Sequence, residues 1–292
     1  MQTTSTLALA QNTKISYSVP TLVKWAGGKK QLLPQFEKFL PEKIERYLEP
    51  FVGGGAVAFH IIKRFGPKFV LLSDINEELI NAYNVIKNNV SELATTLELF
   101  TKKHSKEFYY EIRAVDPKTL SEVDMAARFI YLNKTCFNGL YRVNSQGRFN
   151  VPIGSYKNPQ ILDRSSLLEI NDLLKNATIK VMSFEGVLDF AKSGDFIYLD
   201  PPYYPLKEGK SFTKYSKEDF SKEDQERLAG VVNKLDLLGC KIMLSNSDTP
   251  FIRNLYKDYH QYIVRARRMI NCDAERRGEI NEVVITNFRG RE

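Results

Sequence analysis

The run Asp200-Pro201-Pro202-Tyr203 has residue types and a spacing that suit chemistry on an amino group. It follows a short apolar segment, which places it at the end of a predicted strand. The prolines stiffen the backbone and donate no hydrogen bonds, so carbonyl oxygens stay available as acceptors. The Asp200 carboxylate and the Pro201 carbonyl would accept both hydrogens of one amine and localise its lone pair for attack on an activated methyl group. Tyr203 would stack on the ring that carries the amine.

A glycine-rich turn upstream is typical of a nucleoside-binding site. Gly53, Gly54 and Gly55 follow one apolar segment, and Asp74 ends the next. Glycine adopts a positive φ and lets a ligand approach the backbone closely, and a carboxylate after the second strand accepts hydrogen bonds from ribose hydroxyls. The spacing also fits a dinucleotide-dependent dehydrogenase, because the small Ala58 stands where the third glycine of that motif lies.

Strand-like and helix-like segments alternate along the chain, which predicts an α/β protein with a mainly parallel sheet. The predicted strands are residues 46–51, 69–73, 196–199 and 242–244, and the predicted helices are residues 56–64 and 77–87. Residues 283–288 also alternate and are interpreted as an edge strand or a hairpin arm. Ligands bind at the carboxyl ends of the strands in such sheets, so this topology would bring the glycine turn, Asp74 and Asp200 together.

The alternation is interrupted in the middle of the chain, which predicts an inserted domain. Helical stretches at residues 91–101 and 125–132 precede two strand-like segments, residues 140–144 and 148–151, joined by Ser-Gln-Gly as in a β-hairpin. We predict a disordered tail at residues 1–20, a catalytic domain at residues 21–90 and 176–292, and a target-recognition domain at residues 91–175.

Charge and composition narrow the class of protein. Lys and Arg total 42 against 35 Asp and Glu, a net charge of +7, and 43% of residues are hydrophobic, as in a soluble globular protein. No apolar run approaches the roughly 20 residues of a membrane helix. Five arginines cluster near the C-terminus, as in a nucleic-acid contact or equally in a solvated loop: Arg265, Arg267, Arg268, Arg276 and Arg277.

The cysteines and histidines are scattered along the chain and predict neither a metal site nor a disulfide framework. Cys136, Cys240 and Cys272 show no paired spacing. This pattern fits a reducing cytoplasm.

Seven segments in this order resemble the DNA adenine methyltransferases of the Dam and DpnII type, an alpha-group family of amino-methyltransferases. They are residues 24–29, 49–55, 74–76, 137–152, 200–203, 244–246 and 277–287. The resemblance implies a Rossmann-like sheet that binds S-adenosylmethionine, and an inserted, mostly helical DNA-recognition domain with a β-hairpin. It also implies site-specific methyl transfer to N6 of a flipped adenine in double-stranded DNA, within the sequence GATC.

The resemblance assigns roles to residues of these segments. The catalytic set is Asp200, Pro201, Pro202 and Tyr203. The cofactor set is Trp25, Lys29, Glu49, Phe51, Gly53, Gly55, Asp74 and Asp200. The DNA-binding set is Lys24, Phe137, Asn138, Leu140, Arg142 and Asn150. Arg142 would read a guanine, and Phe137, Asn138 and Leu140 would enter the opened base pair, although a hairpin core is the alternative for Phe137 and Leu140.

Two other functions compete with DNA methylation. Amino-methyltransferases that act on RNA or on protein glutamine share the chemistry, but those relatives commonly carry Asn where this chain has Asp200. A DNA-binding regulator without catalysis is the other alternative, against which the complete run of residues 200–203 argues. A restriction endonuclease that acts on the same DNA site is an expected functional companion, with no stable complex implied.

Overall fold

The computed structural model describes residues 17–206, 220–267 and 279–291. The strands are β1 (Arg46–Glu49), β2 (Phe69–Asp74), β3 (Ala177–Val181), β4 (Phe196–Leu199), β5 (Lys241–Ser247), β6 (His260–Arg267) and β7 (Glu279–Thr286). The α-helices are α1 (Leu33–Phe36), α2 (Ala56–Phe65), α3 (Glu77–Lys103), α4 (Lys106–Ala114), α5 (Glu122–Thr135), α6 (Arg164–Leu174), α7 (Lys222–Leu237) and α8 (Pro250–Leu255). Strands and helices alternate, as the α/β prediction expects.

The strands form one seven-stranded sheet in the order β3-β2-β1-β4-β5-β7-β6. Strands β1 to β5 run parallel, whereas β7 is antiparallel to both β5 and β6. The predicted Rossmann-like, mainly parallel sheet is confirmed. Residues 283–286 of the predicted segment 283–288 lie in β7 and form a hairpin arm, but the edge-strand alternative is wrong because β6 pairs with the outer side of β7.

Alternating side chains of the strands build a core on each face of the sheet. On β4, Phe196 and Tyr198 pack on one face, and Ile197 and Leu199 pack on the other. Helices α2 and α3 contribute to the first core, and α7 and α8 to the second. All four β4 side chains are buried, as expected for a central parallel strand covered on both faces. The strand ends are therefore rigid supports for the residues that follow them.

Strand β1 ends at Glu49, two residues earlier than predicted. Pro50 has no backbone N–H and cannot continue the ladder of hydrogen bonds, so the chain leaves the sheet there. It then passes through the glycine turn into α2. Gly55, the residue before the first residue of this helix, has a left-handed conformation with φ of 74°. The turn consequently lies at the carboxyl edge of the parallel strands.

The chain between the neighbouring strands β2 and β3 is mostly helical. Helix α3 runs from Glu77 to Lys103 with a kink at Asn89, and the helices predicted at residues 77–87 and 91–101 lie on either side of this kink. Only Asn89 has non-helical backbone angles within it, beside the predicted domain boundary at residue 90, which stays a prediction. Helix α3 packs against α5 and α6. Despite its length, neither α3 nor any other helix of the described residues is apolar enough to cross a membrane.

The predicted hairpin is present, but its pairing is sparse. Val143 and Phe149 form an isolated antiparallel bridge, and the regular strands predicted at residues 140–144 and 148–151 do not form in the described structure. No third strand pairs with these two short arms within the described residues, and an isolated two-stranded ribbon is only marginally stable. Backbone hydrogen bonds and the side-chain bond from Arg142 to Asn150 join the two arms.

The last residues of the predicted tail pack against the folded chain. Tyr17 stacks on His60, with ring centroids 5.7 Å apart, and Val19 is buried. Residues 17–20 thus belong to the folded part of the protein. The rest of the predicted tail, residues 1–16, lies outside the described residues.

We expect Gly55→Ala to lower the free energy of unfolding by about 3 kcal/mol, from a left-handed backbone penalty and overpacking together. A Cβ atom at Gly55 would lie 2.8 Å from the Phe59 ring and 2.9 Å from the Tyr83 hydroxyl. Urea unfolding without ligands measures the change.

Gly66→Ala is the matched control for this prediction. Gly66 also has a positive φ, 55°, but its Cβ would meet nothing within 4 Å. It should lose only about 1 kcal/mol, the backbone penalty alone. Equal losses in the two variants would contradict the packing argument.

Candidate active site

Three acids and one lysine meet at the carboxyl edge of the parallel strands. Glu49 ends β1, Asp74 ends β2 and Asp200 follows β4. Lys29 comes from the short helical turn before α1 and is buried, with its Nζ 2.8 Å from Asp200 Oδ2. The same Nζ donates to the Gly27 carbonyl at 2.6 Å. The fold therefore brings together residues that the sequence predicted for one site.

The two carboxylate oxygens of Asp200 have different surroundings. Oδ2 pairs with Lys29, whereas Oδ1 is buried and has no hydrogen-bond partner among the described residues. Burial raises the pKa of Asp200 to about 6, the Lys29 charge opposes this rise, and the Glu282 charge adds to it. A buried acceptor without a donor costs about 1–3 kcal/mol. This oxygen is therefore the atom that a bound donor would satisfy.

Glu49 adds a second buried carboxyl group to the site. Its Oε2 accepts a hydrogen bond from the Tyr47 hydroxyl at 2.7 Å. Burial raises the pKa of Glu49 well above its usual value, and the charges of Asp200 and Asp74 raise it further, against the Tyr47 bond and Lys29. Acids outnumber the single lysine here, so a positively charged ligand would be stabilised by this edge.

The glycine turn is tied to Asp74 by backbone hydrogen bonds. The Gly53 N–H donates to Asp74 Oδ2 at 3.1 Å, and the Asn76 N–H donates to Oδ1 at 3.0 Å. Burial raises the pKa of Asp74, and these N–H groups oppose the rise. The Tyr83 hydroxyl donates to the Gly53 carbonyl at 2.8 Å. Asp74 thus supports the turn, a role that the sequence prediction of a ribose contact did not include.

Trp25 packs directly on the glycine turn. A Cβ atom at Gly53 would stand 2.9 Å from the indole atoms Cδ1 and Nε1, so glycine is needed for the ring to fit. The indole also stacks on Tyr141, with ring centroids 5.8 Å apart. Tyr141 belongs to the hairpin segment, so Trp25 connects the turn with the hairpin.

Apolar side chains border the acidic edge. Phe51 stacks on Phe184, with ring centroids 5.6 Å apart, and meets the edge of Phe220 at 6.0 Å. Ile75, directly after Asp74, is 69% exposed. Sequence reasoning predicted Phe51 but missed the other three. Only Ile75 had a sequence signal, its position beside the acid.

A hydrogen-bond network holds the loop that follows Asp200. Gln225, buried on α7, donates to the Pro202 carbonyl at 2.9 Å and accepts from Asn246 Nδ2 at 3.0 Å. Asn246 Oδ1 in turn accepts from the Tyr204 N–H at 3.1 Å. Sequence analysis assigned Asn246 no role beyond its place in a resembling segment, and Gln225 stands in no motif. These two amides determine the path of the loop.

The Tyr203 ring lies between a cation and an acid. Lys29 Nζ is 4.7 Å from the ring centroid, and the phenol donates to Glu282 Oε2 at 2.8 Å. Burial raises the pKa of Tyr203 well above its usual value, so the hydroxyl keeps its proton. Glu282 lies near the start of β7, and the sequence prediction assigned it no role.

The residues predicted to enter DNA lie at the base of the hairpin, in different degrees of burial. Phe137 is 45% exposed, and the exposed Asn138 has a left-handed backbone, with φ of 55°. Leu140 is half-buried and packs against the first core, the one to which α2 and α3 contribute. A core role therefore accounts for part of the Leu140 surface but not for that of Phe137.

Arg142, Asn150 and Lys24 are held by defined contacts. Arg142 Nε donates to Asn150 Oδ1 at 2.7 Å, across the two arms of the hairpin. The Lys24 N–H donates to Asn133 Oδ1 at 2.8 Å, and its Nζ lies 4.0 Å from the centroid of the Tyr156 ring. Lys24 is thereby fixed next to the hairpin segment, although it is distant from it in the sequence.

The predicted C-terminal arginine cluster is described only in part. The backbone N–H and carbonyl of Arg265 pair with the Gln35 side chain at 3.0 Å and 2.9 Å. Arg268, Arg276 and Arg277 lie outside the described residues, as does Cys272.

The chain is similar to known proteins over almost its full length. The profile of the family described as D12 class N6 adenine-specific DNA methyltransferase matches residues 25–270. The Type II methyltransferase M1.LlaDCHI of Lactococcus lactis subsp. cremoris is 43% identical, over 96% of this chain and 99% of that protein. The Type II methyltransferase M.MjaIII of Methanocaldococcus jannaschii is 45% identical, over 92% and 99%. The DNA adenine methylase of Escherichia coli (strain K12) is 34% identical, over 90% and 93%.

We expect the Asp200 carboxyl group to titrate near the pKa of about 6 that burial produces, and Lys29→Met to raise that pKa further. Loss of the ammonium removes the charge that favours the ionised carboxylate. Carbon-13 NMR of labelled aspartate, assigned with Asp200→Asn, measures the midpoint.

Lys30→Met provides the control for this titration. It removes the same charge from the next residue, where Nζ donates to the Val19 carbonyl at 2.9 Å instead of reaching Asp200. The Asp200 midpoint should stay unchanged. A Lys29→Met midpoint equal to or below that of the unsubstituted protein would refute the assigned coupling.

Proposed function

The chain belongs to the D12 class of N6 adenine-specific DNA methyltransferases, and we propose that it moves a methyl group from S-adenosylmethionine to N6 of an adenine flipped out of duplex DNA. The observation that carries the proposal is the buried Oδ1 of Asp200, an acceptor without a donor. An exocyclic amine is the donor that such an acceptor would bind in an enzyme of this family.

The residues at the acidic edge fit S-adenosylmethionine. When bound, this cofactor supplies a methyl group activated by a positively charged sulfonium. A bound cation would favour the ionised forms of the Glu49 and Asp200 carboxyl groups, and Asp74 provides carboxylate oxygens for hydroxyl groups. Phe51 and the exposed Ile75 provide apolar surface for a purine ring. Trp25, Lys29, Gly53 and Gly55 complete the predicted cofactor set.

The proposed reaction depends on how Asp200 and its loop hold the amine. One N6 hydrogen donates to Asp200 Oδ1 and the other to the Pro201 carbonyl, and this geometry localises the nitrogen lone pair. The loop is prepared for this role because Gln225 already binds the neighbouring Pro202 carbonyl. Tyr203 stacks on the flipped base. The site works by positioning and electrostatics, and no covalent intermediate with the protein is needed.

The hairpin is proposed to contact the DNA. Phe137 and Asn138 would enter the opened base pair, with Leu140 behind them; the exposure of Phe137 and of the left-handed Asn138 supports this proposal. Arg142, positioned by Asn150, would read a guanine through paired donors. The proposed recognition sequence is GATC.

Membership in a family of DNA-specific enzymes favours DNA over RNA or protein glutamine as the methyl acceptor. The intact Lys29–Asp200 pair argues against a silent regulator, which would have no need of a buried acceptor. Action in the cytoplasm and pairing with a companion restriction endonuclease stay predictions.

We expect Asp200→Ala to reduce methyl transfer to DNA on the order of 1000-fold or more, because it removes the acceptor that positions the amine. Purified protein is incubated with unmethylated plasmid and labelled cofactor, and modified bases are then mapped by sequencing. Asp172→Ala, which removes a carboxylate exposed on α6, is the control and should retain full activity. Cofactor binding without label on DNA of any sequence would refute the proposed function, and label at other sites would refute GATC alone.

We expect Arg142→Ala to lower discrimination between GATC and sites with one altered guanine roughly 10- to 100-fold, the usual value of a bidentate contact to guanine. Rates on matched duplexes that differ at one base pair measure the ratio. Arg148→Ala is the comparison, since Arg148 is exposed on the same hairpin. It should slow all duplexes alike, as loss of a phosphate contact does. If Arg142→Ala also slowed all duplexes alike, guanine reading would belong to another residue.

A further inference from the structure

One acidic residue near the active site, Glu282, lies on a strand that runs antiparallel to the strands before the other acids. Strand β7 is antiparallel to β5, so the beginning of β7 lies beside the end of β5, with Glu282 opposite Ser247. The carboxyl edge that carries Asp200 therefore also receives Glu282. Glu282 is half-buried, and its Oε2 accepts the Tyr203 hydroxyl at 2.8 Å.

The Tyr203 hydroxyl has a second acceptor within reach. Hydrogen bonding with this hydroxyl is among the causes that lower the pKa of Asp200, whereas the acceptor to which it donates at 2.8 Å is Glu282 Oε2. Asp200 Oδ1 meanwhile is buried without a hydrogen-bond partner among the described residues. One hydroxyl thus stands near two carboxylates, and its bond to Glu282 leaves the Asp200 oxygen open.

We propose that Glu282 is a positioning residue of the methyl-transfer site: it holds the Tyr203 hydroxyl away from Asp200 and so keeps Asp200 Oδ1 open for the N6 amine. This inference rests on the proposed function of the site. Without the Glu282 acceptor, the Tyr203 hydroxyl turns to Asp200 Oδ1, a carboxylate oxygen that lacks a donor among the described residues, since a donor shielded from water and without an acceptor is costly. The substrate amine then competes with a hydroxyl of the protein itself.

Glu282 has a second, electrostatic effect on the same group. The charged and titratable groups that face Asp200 are Lys29, Glu49, Tyr47, Tyr198, Tyr203 and Glu282. Among them the Glu282 charge raises the pKa of Asp200, while Lys29 and the Tyr203 hydroxyl lower it. Removal of the Glu282 charge therefore lowers the pKa of Asp200, and a turned Tyr203 hydroxyl lowers it further. The acidic limb is the part of the pH profile in which activity falls as Asp200 takes up a proton. Because both changes lower the pKa of Asp200, they move this limb toward lower pH.

The closing experiment measures kcat, KM for DNA and the pH profile of kcat for four enzymes. They are the unsubstituted protein, Glu282→Ala, Tyr203→Phe and the double variant. Glu282→Ala should lose kcat roughly 10- to 100-fold, the range for a hydrogen bond to a charged group. Its acidic limb should move to lower pH. The double variant lacks the competing hydroxyl and should recover to the level of Tyr203→Phe alone.

Recovery of activity on adding a second substitution distinguishes this role from a merely structural one. If the double variant lost the product of the two single losses, Glu282 would not act through the Tyr203 hydroxyl and the proposal would be overturned. An unshifted pH profile in Glu282→Ala would overturn it equally. Thermal unfolding shows whether each variant is folded.

Glu282→Gln keeps the test decisive if Glu282→Ala unfolds. Its amide oxygen still accepts the Tyr203 hydroxyl, so kcat at neutral pH should stay within a few-fold of the unsubstituted protein, roughly 3-fold or less. The acidic limb should still move to lower pH because the charge is gone. Glu226→Gln, which removes a charge exposed on α7, should leave the profile in place.

The outcome also separates this inference from the proposed function. If the unsubstituted protein fails to methylate DNA, the proposed function fails, and the role of Glu282 that rests on it fails as well. If it methylates DNA and Asp200→Ala does not, but Glu282→Ala and Glu282→Gln behave like the unsubstituted protein, only the positioning role of Glu282 is refuted.

Discussion

The buried pair of Lys29 and Asp200 is the interaction on which the organisation of the site depends. Burial pushes the Asp200 carboxyl toward its neutral form, and the ammonium 2.8 Å away opposes that push. The pair engages one oxygen and leaves the other buried without a donor. Folding alone does not favour such an oxygen, because an unsatisfied acceptor destabilises the native state. Its presence in a rigid setting is what a site prepared for a ligand requires.

The sheet supplies that rigid setting. Strand β4 is buried on both faces, and its position between β1 and β5 is determined by parallel pairing on each side. The loop after it is held by Gln225 from α7 and Asn246 from β5, two elements that pack or pair independently of the loop. Asp200 and Pro201 thus receive their geometry from the core, so their mutual arrangement changes little unless the core does.

The hairpin and the glycine turn are physically connected through one aromatic stack. Trp25 packs on Gly53 on the sheet side and on Tyr141 on the hairpin side. Tyr141 also donates to Glu78 on α3 at 3.0 Å, and Arg128 on α5 pairs with the same acid at 2.9 Å. Side chains from four parts of the chain therefore interlock between the two proposed binding surfaces, so that each surface has a fixed position relative to the other.

The sequence by itself determined which chemistry is available and which kind of sheet carries it. The run from Asp200 to Tyr203 and the acid at Asp74 were recognisable because strand ends and glycine turns depend on local propensity and hydrophobic alternation. The family was recognisable because its motifs are contiguous. Only the tertiary structure decided that one Asp200 oxygen pairs with Lys29 while the other has no donor, and that Glu282 is the acid that accepts the Tyr203 hydroxyl. Gln225 stands in no motif, Glu282 lies in a resembling segment that assigned it no role, and both act through contacts over tens of residues. Such contacts exist because the antiparallel β7 and the packed α7 bring distant segments to one edge, an arrangement to which no local pattern in the sequence corresponds.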